Sequence, residues 1–323
     1  MLRSCFFHRA ALCLGMAMLT LGCNGSSDVG GRGAAGAKHE PAKFAGEYPI
    51  HAVATTGMVA DLAKRVGGER INVLQLMGEG VDPHLYKASP GDVSQLSRAD
   101  IIFYSGLHLE GKMADVLEHL GREKPTVAVA EAIAKDKLLQ VGEHLYDPHV
   151  WFDVSLWRQT IDAIESALAE FDPPHKDEYR KRAEAYRAEL TELHEECRRR
   201  IGQIPAERRV LVTAHDAFHY FGRAYDLEVK AIQGISTQAE AGIKQINDLV
   251  EFISRRGVKA VFVETSVSER NIEALVEGCR ARGHEVEIGG QLFSDAMGQP
   301  GTPEGTYAGM VRHNVEAMVK ALE

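Results

Sequence analysis

From residue 48 onward, short runs of β-branched and apolar residues alternate with longer stretches whose apolar positions recur every three or four residues. The short runs are HAVATTG from His51, INVLQL from Ile71, DIIFYSG from Asp100 and TVAVA from Thr126. Helical spacing separates them, from Met58, from Ser89, over Gly111 to Leu120, and from Ser155 to Phe171. The same grammar returns after residue 208 in RRVLVTAHD, LEVKAIQG, VKAVFVET and HEVEIGG, interleaved with the helical segments GIKQINDLVEFISRRG and ERNIEALVEGCRARG and a last helix over Tyr307–Leu322. Such alternation is the pattern of parallel strands wrapped by helices. The predicted fold class is α/β, with two similar lobes of parallel β-sheet and flanking helices.

Between the two halves the pattern changes. Pro174 to Arg200 is highly charged, carries few turn signals and is bounded by Asp172-Pro173-Pro174 and Ile204-Pro205. One long backbone helix is expected there, about 40 Å at ~1.5 Å per residue, enough to join both lobes. Tyr179, Ala183, Tyr186, Leu190 and His194 give it a face to pack against them.

At the start of the chain, Arg3 and Arg9 precede the apolar run Ala10 to Leu19, which is followed by Thr20-Leu21-Gly22-Cys23. The run is too short for a permanent spanning helix and has the form of a secretory signal peptide ending at a lipid-acceptor cysteine. Residues 24–46 are rich in Gly, Ser, Ala and Lys without apolar periodicity and read as a flexible tether. The expected organisation is a signal peptide over 1–22, a lipidated tether over 23–46 and an N-terminal lobe over 47–172. A connecting helix over 173–203 and a C-terminal lobe over 204–323 complete it. The product is an exported monomer, periplasmic or at the cell surface, anchored through Cys23.

Losing residues 1–22 removes Arg3 and Arg9 and takes the formal charge from −9 to −11. No basic stripe is present, so nucleic acid is disfavoured and a cation suits the acidic body. Of five cysteines, only Cys197 and Cys279 lie beyond the signal and tether, and a disulfide and two buried thiols are both open readings for them. Without a CxxC pair, a thiolate zinc site is disfavoured.

Candidate chemistry comes from histidines. Asp-Pro-His occurs at Asp82-Pro83-His84 and again at Asp147-Pro148-His149, each after a β-like run. Proline stiffens the turn and presents the imidazole from a fixed backbone, which suits coordination, although Asp-Pro is also an ordinary turn opener. His215 ends the strand VLVTA in TAHDAFHYF, whereas His219 lies in the following helical run beside Phe218 and Tyr220 and reads as a surface or satisfied histidine. A carboxylate should complete the set: Asp295 in LFSDAMG, with Glu264 at the end of VKAVFVET its rival or a neighbouring acid. Three imidazoles and a carboxylate suit Zn²⁺ and also Mn²⁺. Asp216, Glu240 and Glu264 are candidates to satisfy the second ring nitrogens.

These motifs, DPHLY, DPHVWFD, TAHDAFHYF, VETSVSER, LFSDAMG and GTYAGMVRHN in that order, resemble the TroA-like (cluster A-I) metal-binding lipoproteins, the solute-binding components of zinc and manganese ABC transporters. The resemblance covers nearly the whole mature chain. It implies His84 and His149 from the first lobe and His215 and Asp295 from the second as metal ligands, Zn²⁺ or Mn²⁺ as transported ligand, and an ABC permease in the membrane as partner. It also implies small lobe movements about the single helix. The long His-rich insertion of many zinc members is missing; only Glu143-His144-Leu145-Tyr146 stands before the second Asp-Pro-His. No nucleotide-binding GxxxxGK[ST] is present, and without HExxH a zinc hydrolase is the weaker alternative. A metal-binding surface adhesin is the third reading.

Overall fold

The structure is a computed structural model that describes residues 43–323. The expected signal peptide, Cys23 and the tether up to residue 42 lie outside the described residues. Strand β1 (Ile50–Ala54), helix α1 (Gly57–Gly67), β2 (Ile71–Gln75), α2 (Pro90–Arg98), β3 (Ile101–Tyr104), α3 (Ala114–Gly121) and β4 (Thr126–Ala128) follow in order. The strands form one parallel sheet in the order β2-β1-β3-β4. Covered on both faces, such a sheet needs continuous apolar strands, and Ile101, Ile102 and Phe103 are all fully buried. Helix α2 starts as the sequence suggests: Ser89 and Asp92 exchange side-chain and backbone hydrogen bonds in a capping box, with Pro90 at the first helical position.

Two features depart from the pattern. A small antiparallel hairpin, β5 (Gln140–Gly142) and β6 (Leu145–Tyr146), precedes the second Asp-Pro-His, so that turn follows the hairpin rather than a strand of the parallel sheet. The expected helix from Ser155 to Phe171 is broken into α4 (Val154–Trp157), a 3-10 turn over Arg158–Thr160, and α5 (Ile161–Phe171). Asp153 caps its start by accepting the N–H groups of Ser155 and Leu156 at 3.0 and 3.3 Å. The Thr160 hydroxyl donates to the Trp157 carbonyl at 2.7 Å, a local bond that competes with the helical ladder at the break.

Helix α6 (Lys176–Ile201) spans 26 residues, about 39 Å. Its buried stripe is Tyr179, Ala183, Tyr186, Leu190, Leu193, Cys197 and Ile201, with the expected His194 half-buried at the edge, its Nδ1 3.2 Å from the Tyr225 hydroxyl. Asp177 and Glu178 in the first turn and Arg198, Arg199 and Arg200 in the last complement the helix dipole. Near its beginning the buried Asp172 carboxylate accepts from the hydroxyls of Tyr48 and Tyr179. Phe44, assigned to the tether by composition, is fixed there: its N–H donates to the Phe171 carbonyl at 2.6 Å.

Beyond α6 come β7 (Val210–His215), α7 (His219–Tyr225), β8 (Glu228–Gln233), α8 (Ile243–Arg256), β9 (Ala260–Glu264), α9 (Arg270–Ala281), β10 (Glu287–Leu292) and α10 (Tyr307–Leu322). β7 pairs in parallel with β8 and β9 with β10, and β7 lies beside β9. Gly289 lets α10 close onto this layer, because a Cβ there would stand 2.6 Å from that of Ala321. Helix α6 packs against α1 and α5 on one side of the molecule and α10 on the other, which makes it the shared spine of both lobes. Cys197 and Cys279 are buried free thiols, so the disulfide reading is set aside; burial pushes the Cys197 thiol up to about 12. Among the described residues no helix is long and apolar enough to cross a membrane.

Candidate metal centre

Four side chains from four separate segments converge between the lobes. His84 lies in the loop from β2 to α2, His149 at the start of a 3-10 turn over Val150–Phe152, His215 at the last position of β7 and Asp295 just past β10. One ligand atom from each lies within 4.8 Å of all the others, and all four residues are buried. His84 Nε2 and His149 Nε2 are 3.2 Å apart. Asp295 Oδ2 is 3.6 Å from His84 Nε2 and 3.3 Å from His215 Nε2, while Asp295 Oδ1 is 3.4 Å from His149 Nε2. These separations exceed the ~2.7–2.9 Å of charge-assisted hydrogen bonds. These four separations lie near the ~3.3–3.4 Å edges of a tetrahedron of donors placed ~2.0–2.1 Å from one ion, with Asp295 meeting His84 and His215 through Oδ2 and His149 through Oδ1.

The polar inventory points the same way. His215 Nε2 and both Asp295 carboxylate oxygens are buried with no hydrogen-bond partner among the described residues. Buried polar atoms of this kind cost free energy unless something satisfies them. Their common orientation makes a cation the fitting complement, and the two Asp295 oxygens allow one- or two-point contact.

Each imidazole is held differently. In the second Asp-Pro-His turn, Asp147 Oδ1 accepts both the His149 backbone N–H at 2.9 Å and its ring Nδ1–H at 2.7 Å. Glu264, at the end of the neighbouring strand β9, accepts the His215 backbone N–H at 2.8 Å through Oε1 and pairs with Nδ1 through Oε2. A carboxylate on Nδ1 fixes the ring and directs its Nε2 into the four-residue cluster. Glu264 is therefore a supporting acid rather than a member of the four-residue cluster. Asp216 does not orient His215 but pairs with His219 Nε2 at 2.8 Å, and Glu240 is exposed. His219 itself stands outside the cluster, as its helical setting suggests.

Three supporting groups escaped the sequence reading. Asp147 was present in the repeated tripeptide, two residues before its histidine. Asn314, inside GMVRHN, accepts the Phe293 N–H at 2.9 Å and donates to the Phe293 carbonyl at 2.7 Å, fixing the approach to Asp295. Trp151 donates its indole N–H to the Ser294 carbonyl at 3.1 Å and so reaches across from the first lobe to the residue beside Asp295.

The charges are strongly coupled to burial. Burial lowers the His84 pKa to about 4, reinforced by the other two imidazoles and opposed by Asp295. Burial opposes charge on His149 as well, but Asp147 and then Asp295 overcome it and raise the pKa to about 9. His215 is raised well above its ordinary value because Glu264 and Asp295 outweigh burial. Burial alone would raise Asp295, yet His215 and His149 hold it well below the usual carboxylate range. The cluster thus keeps one anion among three imidazoles.

Two α/β lobes on a helical spine, with three imidazoles and a carboxylate converging between them, define a metal-binding solute receptor of the TroA-like fold. The chain belongs to the family described as "ZnuA: Zinc-uptake complex component A periplasmic", whose model matches residues 52–321. It is 51% identical over 278 residues to the manganese-binding lipoprotein MntA of Bacillus subtilis, covering 86% of this chain and 91% of that one. To the zinc-binding protein TroA of Treponema pallidum it is 49% identical over 270 residues, covering 84% and 88%. The solved structure of the periplasmic zinc-binding protein TroA from Treponema pallidum superposes with a TM-score of 0.83 at 48% identity, covering 84% of this chain and 99% of that one.

Proposed function

We propose that His84, His149, His215 and Asp295 together hold one divalent ion, Zn²⁺ or Mn²⁺, and that the chain delivers it to the permease of an ABC importer. The observation that carries this reading is the set of donor separations of 3.2 to 3.6 Å around unpartnered Asp295 oxygens. Family membership places the chain among solute-binding components rather than enzymes. A nitrogen-rich site favours Zn²⁺ over Mn²⁺ by intrinsic affinity, while the second Asp295 oxygen offers Mn²⁺ the additional oxygen contact it accepts. The relatives named for manganese and for zinc are about equally similar to this chain, so both ions stand in the proposal. The test is uptake: cells lacking the protein should lose accumulation of one of these ions, wild type should restore it and Asp295→Ala should not. Restoration by Asp295→Ala would overturn the reading.

Binding is linked to protons. Because the folded-state pKa of His149 is raised to about 9 and that of His215 also lies high, both rings hold protons near neutrality that an incoming ion must displace. His84, lowered to about 4, is already neutral there. Affinity should therefore fall as pH drops below about 9, by roughly tenfold per pH unit for each displaced proton. Calorimetry in buffers of different ionisation enthalpy measures the protons released. A pH-independent affinity between pH 6 and 9 would contradict this linkage.

The proposed topology outside the described residues is a cleaved signal over 1–22 and an acylated Cys23 holding a monomeric body on the outer side of the membrane by a tether. The apolar run followed by Thr20-Leu21-Gly22-Cys23 and the lipoprotein relatives support it. Cys23→Ser should move the protein from the membrane fraction to the soluble fraction of the cell envelope. Retention of that variant on membranes would remove the anchor from the account.

A further inference from the structure

The two Asp-Pro-His turns share a sequence but not a function. In the second, Asp147 turns inward onto the imidazole of His149. In the first, Asp82 uses Oδ1 to accept the His84 backbone N–H at 2.8 Å, and its Oδ2 accepts the Thr237 hydroxyl at 2.5 Å. Thr237 belongs to the opposite lobe, in the loop between β8 and α8, and is largely buried. The next residue, Gln238, reaches the His84 carbonyl at 3.5 Å. Unlike His149 and His215, His84 has no carboxylate on its Nδ1 among the described residues. Its backbone is held by Asp82 and Gln238; Gln238 belongs to the opposite lobe, and Asp82 is tied to that lobe through Thr237.

We propose that Thr237 is a positioning residue for His84: through Asp82 its hydroxyl latches the first Asp-Pro-His turn to the C-terminal lobe and so governs how long the ion is held. This rests on the metal-binding reading above. His149 and His215 are oriented by acids of their own lobes, Asp147 and Glu264. His84 alone is oriented by a contact that parts when the lobes part. Separation of the lobes on the partner would break the Thr237–Asp82 bond and withdraw His84 first, leaving the ion on the remaining three ligands and open on one side.

The test uses the purified full chain loaded with zinc, with release followed by stopped-flow transfer to a chromogenic chelator. Thr237→Val, which keeps the shape and removes the hydroxyl, should release zinc about tenfold faster, at the lower end of the usual effect of residues that support a ligand. Thr237→Ser should stay near wild type. Asp82→Ala should also accelerate release, and adding Thr237→Val to it should bring little more, because both act on one connection. With Co²⁺ in place of zinc, Thr237→Val should change the visible absorption, while the unfolding temperature of the metal-free protein stays put. Three results would overturn the latch: wild-type release from Thr237→Val, independent and multiplying effects of the two substitutions, or faster release with an unchanged Co²⁺ spectrum and a lowered unfolding temperature. If wild type itself holds no zinc, the site reading falls and takes the latch with it; if wild type holds zinc and Thr237→Val behaves identically, the latch alone falls.

Discussion

Asp295→Ala is expected to lose high-affinity metal binding outright, a larger effect than the ~10–100-fold that follows loss of a residue merely supporting a ligand. Asp295 is the single carboxylate among the four clustered donors, fully buried, and both its oxygens face the imidazole nitrogens. Removing it leaves the cluster without the anion that offsets the charge of an entering dication. The site would then concentrate positive charge in a buried space, which is costly unless paired. Asp295→Asn separates charge from shape: it retains one oxygen in place and should still fail to bind tightly. Thermal unfolding reads this directly. At an ion concentration 100 times its Kd, wild type gains about 2.7 kcal/mol of stability, and the Asp295→Ala variant should gain almost none. A metal-induced stabilisation equal to that of wild type would rule Asp295 out as a ligand.

Trp151→Ala should be the most damaging single truncation for stability. The side chain is fully buried, packs edge-on against His149 with ring centroids 5.2 Å apart, and donates across the lobes to the Ser294 carbonyl. Its own carbonyl accepts the Tyr307 hydroxyl at 2.6 Å, which ties it to the first turn of α10. Deleting the indole leaves a cavity worth about 3–5 kcal/mol, a large part of the ~5–15 kcal/mol that usually separates folded from unfolded protein. Trp151→Phe divides the effect. It should keep most of the packing, lose about 1 kcal/mol with the hydrogen bond to Ser294, and weaken metal binding because Asp295 is the next residue. Denaturant unfolding of the metal-free protein measures the first part and metal titration the second. Full stability in Trp151→Ala would mean that the lobes are held together elsewhere.

Much of this architecture is legible in the residue pattern because parallel strands and amphipathic helices leave long, regular signals. Helix α10 occupies the predicted span Tyr307–Leu322, and the stripe from Tyr179 to Leu190 lies on the buried face of α6. The hairpin before His149 was not legible, since strands of three and two residues are too short to show a period. Nor was the break at Arg158–Thr160, which turns on one threonine hydroxyl. At the site, the four converging residues could be nominated from strand ends and from family resemblance, and Glu264 stood among three candidate supports with Asp216 and Glu240, but which acid holds which ring was not legible. Glu264 reaches His215 from 49 positions away, and only the adjacency of β7 and β9 brings them together. Asp82 and Asp147 stand in identical tripeptides, and what separates them is Thr237, 155 residues from Asp82. Sequence shows the motif twice; the fold decides that one copy braces its imidazole and the other grips the opposite lobe.

The central claim is that one ion sits among His84, His149, His215 and Asp295. X-ray absorption at the zinc or manganese edge tests it most directly, on full chain stripped with chelator and reloaded to saturation. The predicted result is one equivalent of metal per chain, three imidazole nitrogens and one or two oxygens in the first coordination sphere, and one imidazole fewer in His84→Ala. A sulfur contribution, a sphere made only of oxygen, or an unchanged spectrum with all four residues replaced would contradict the account.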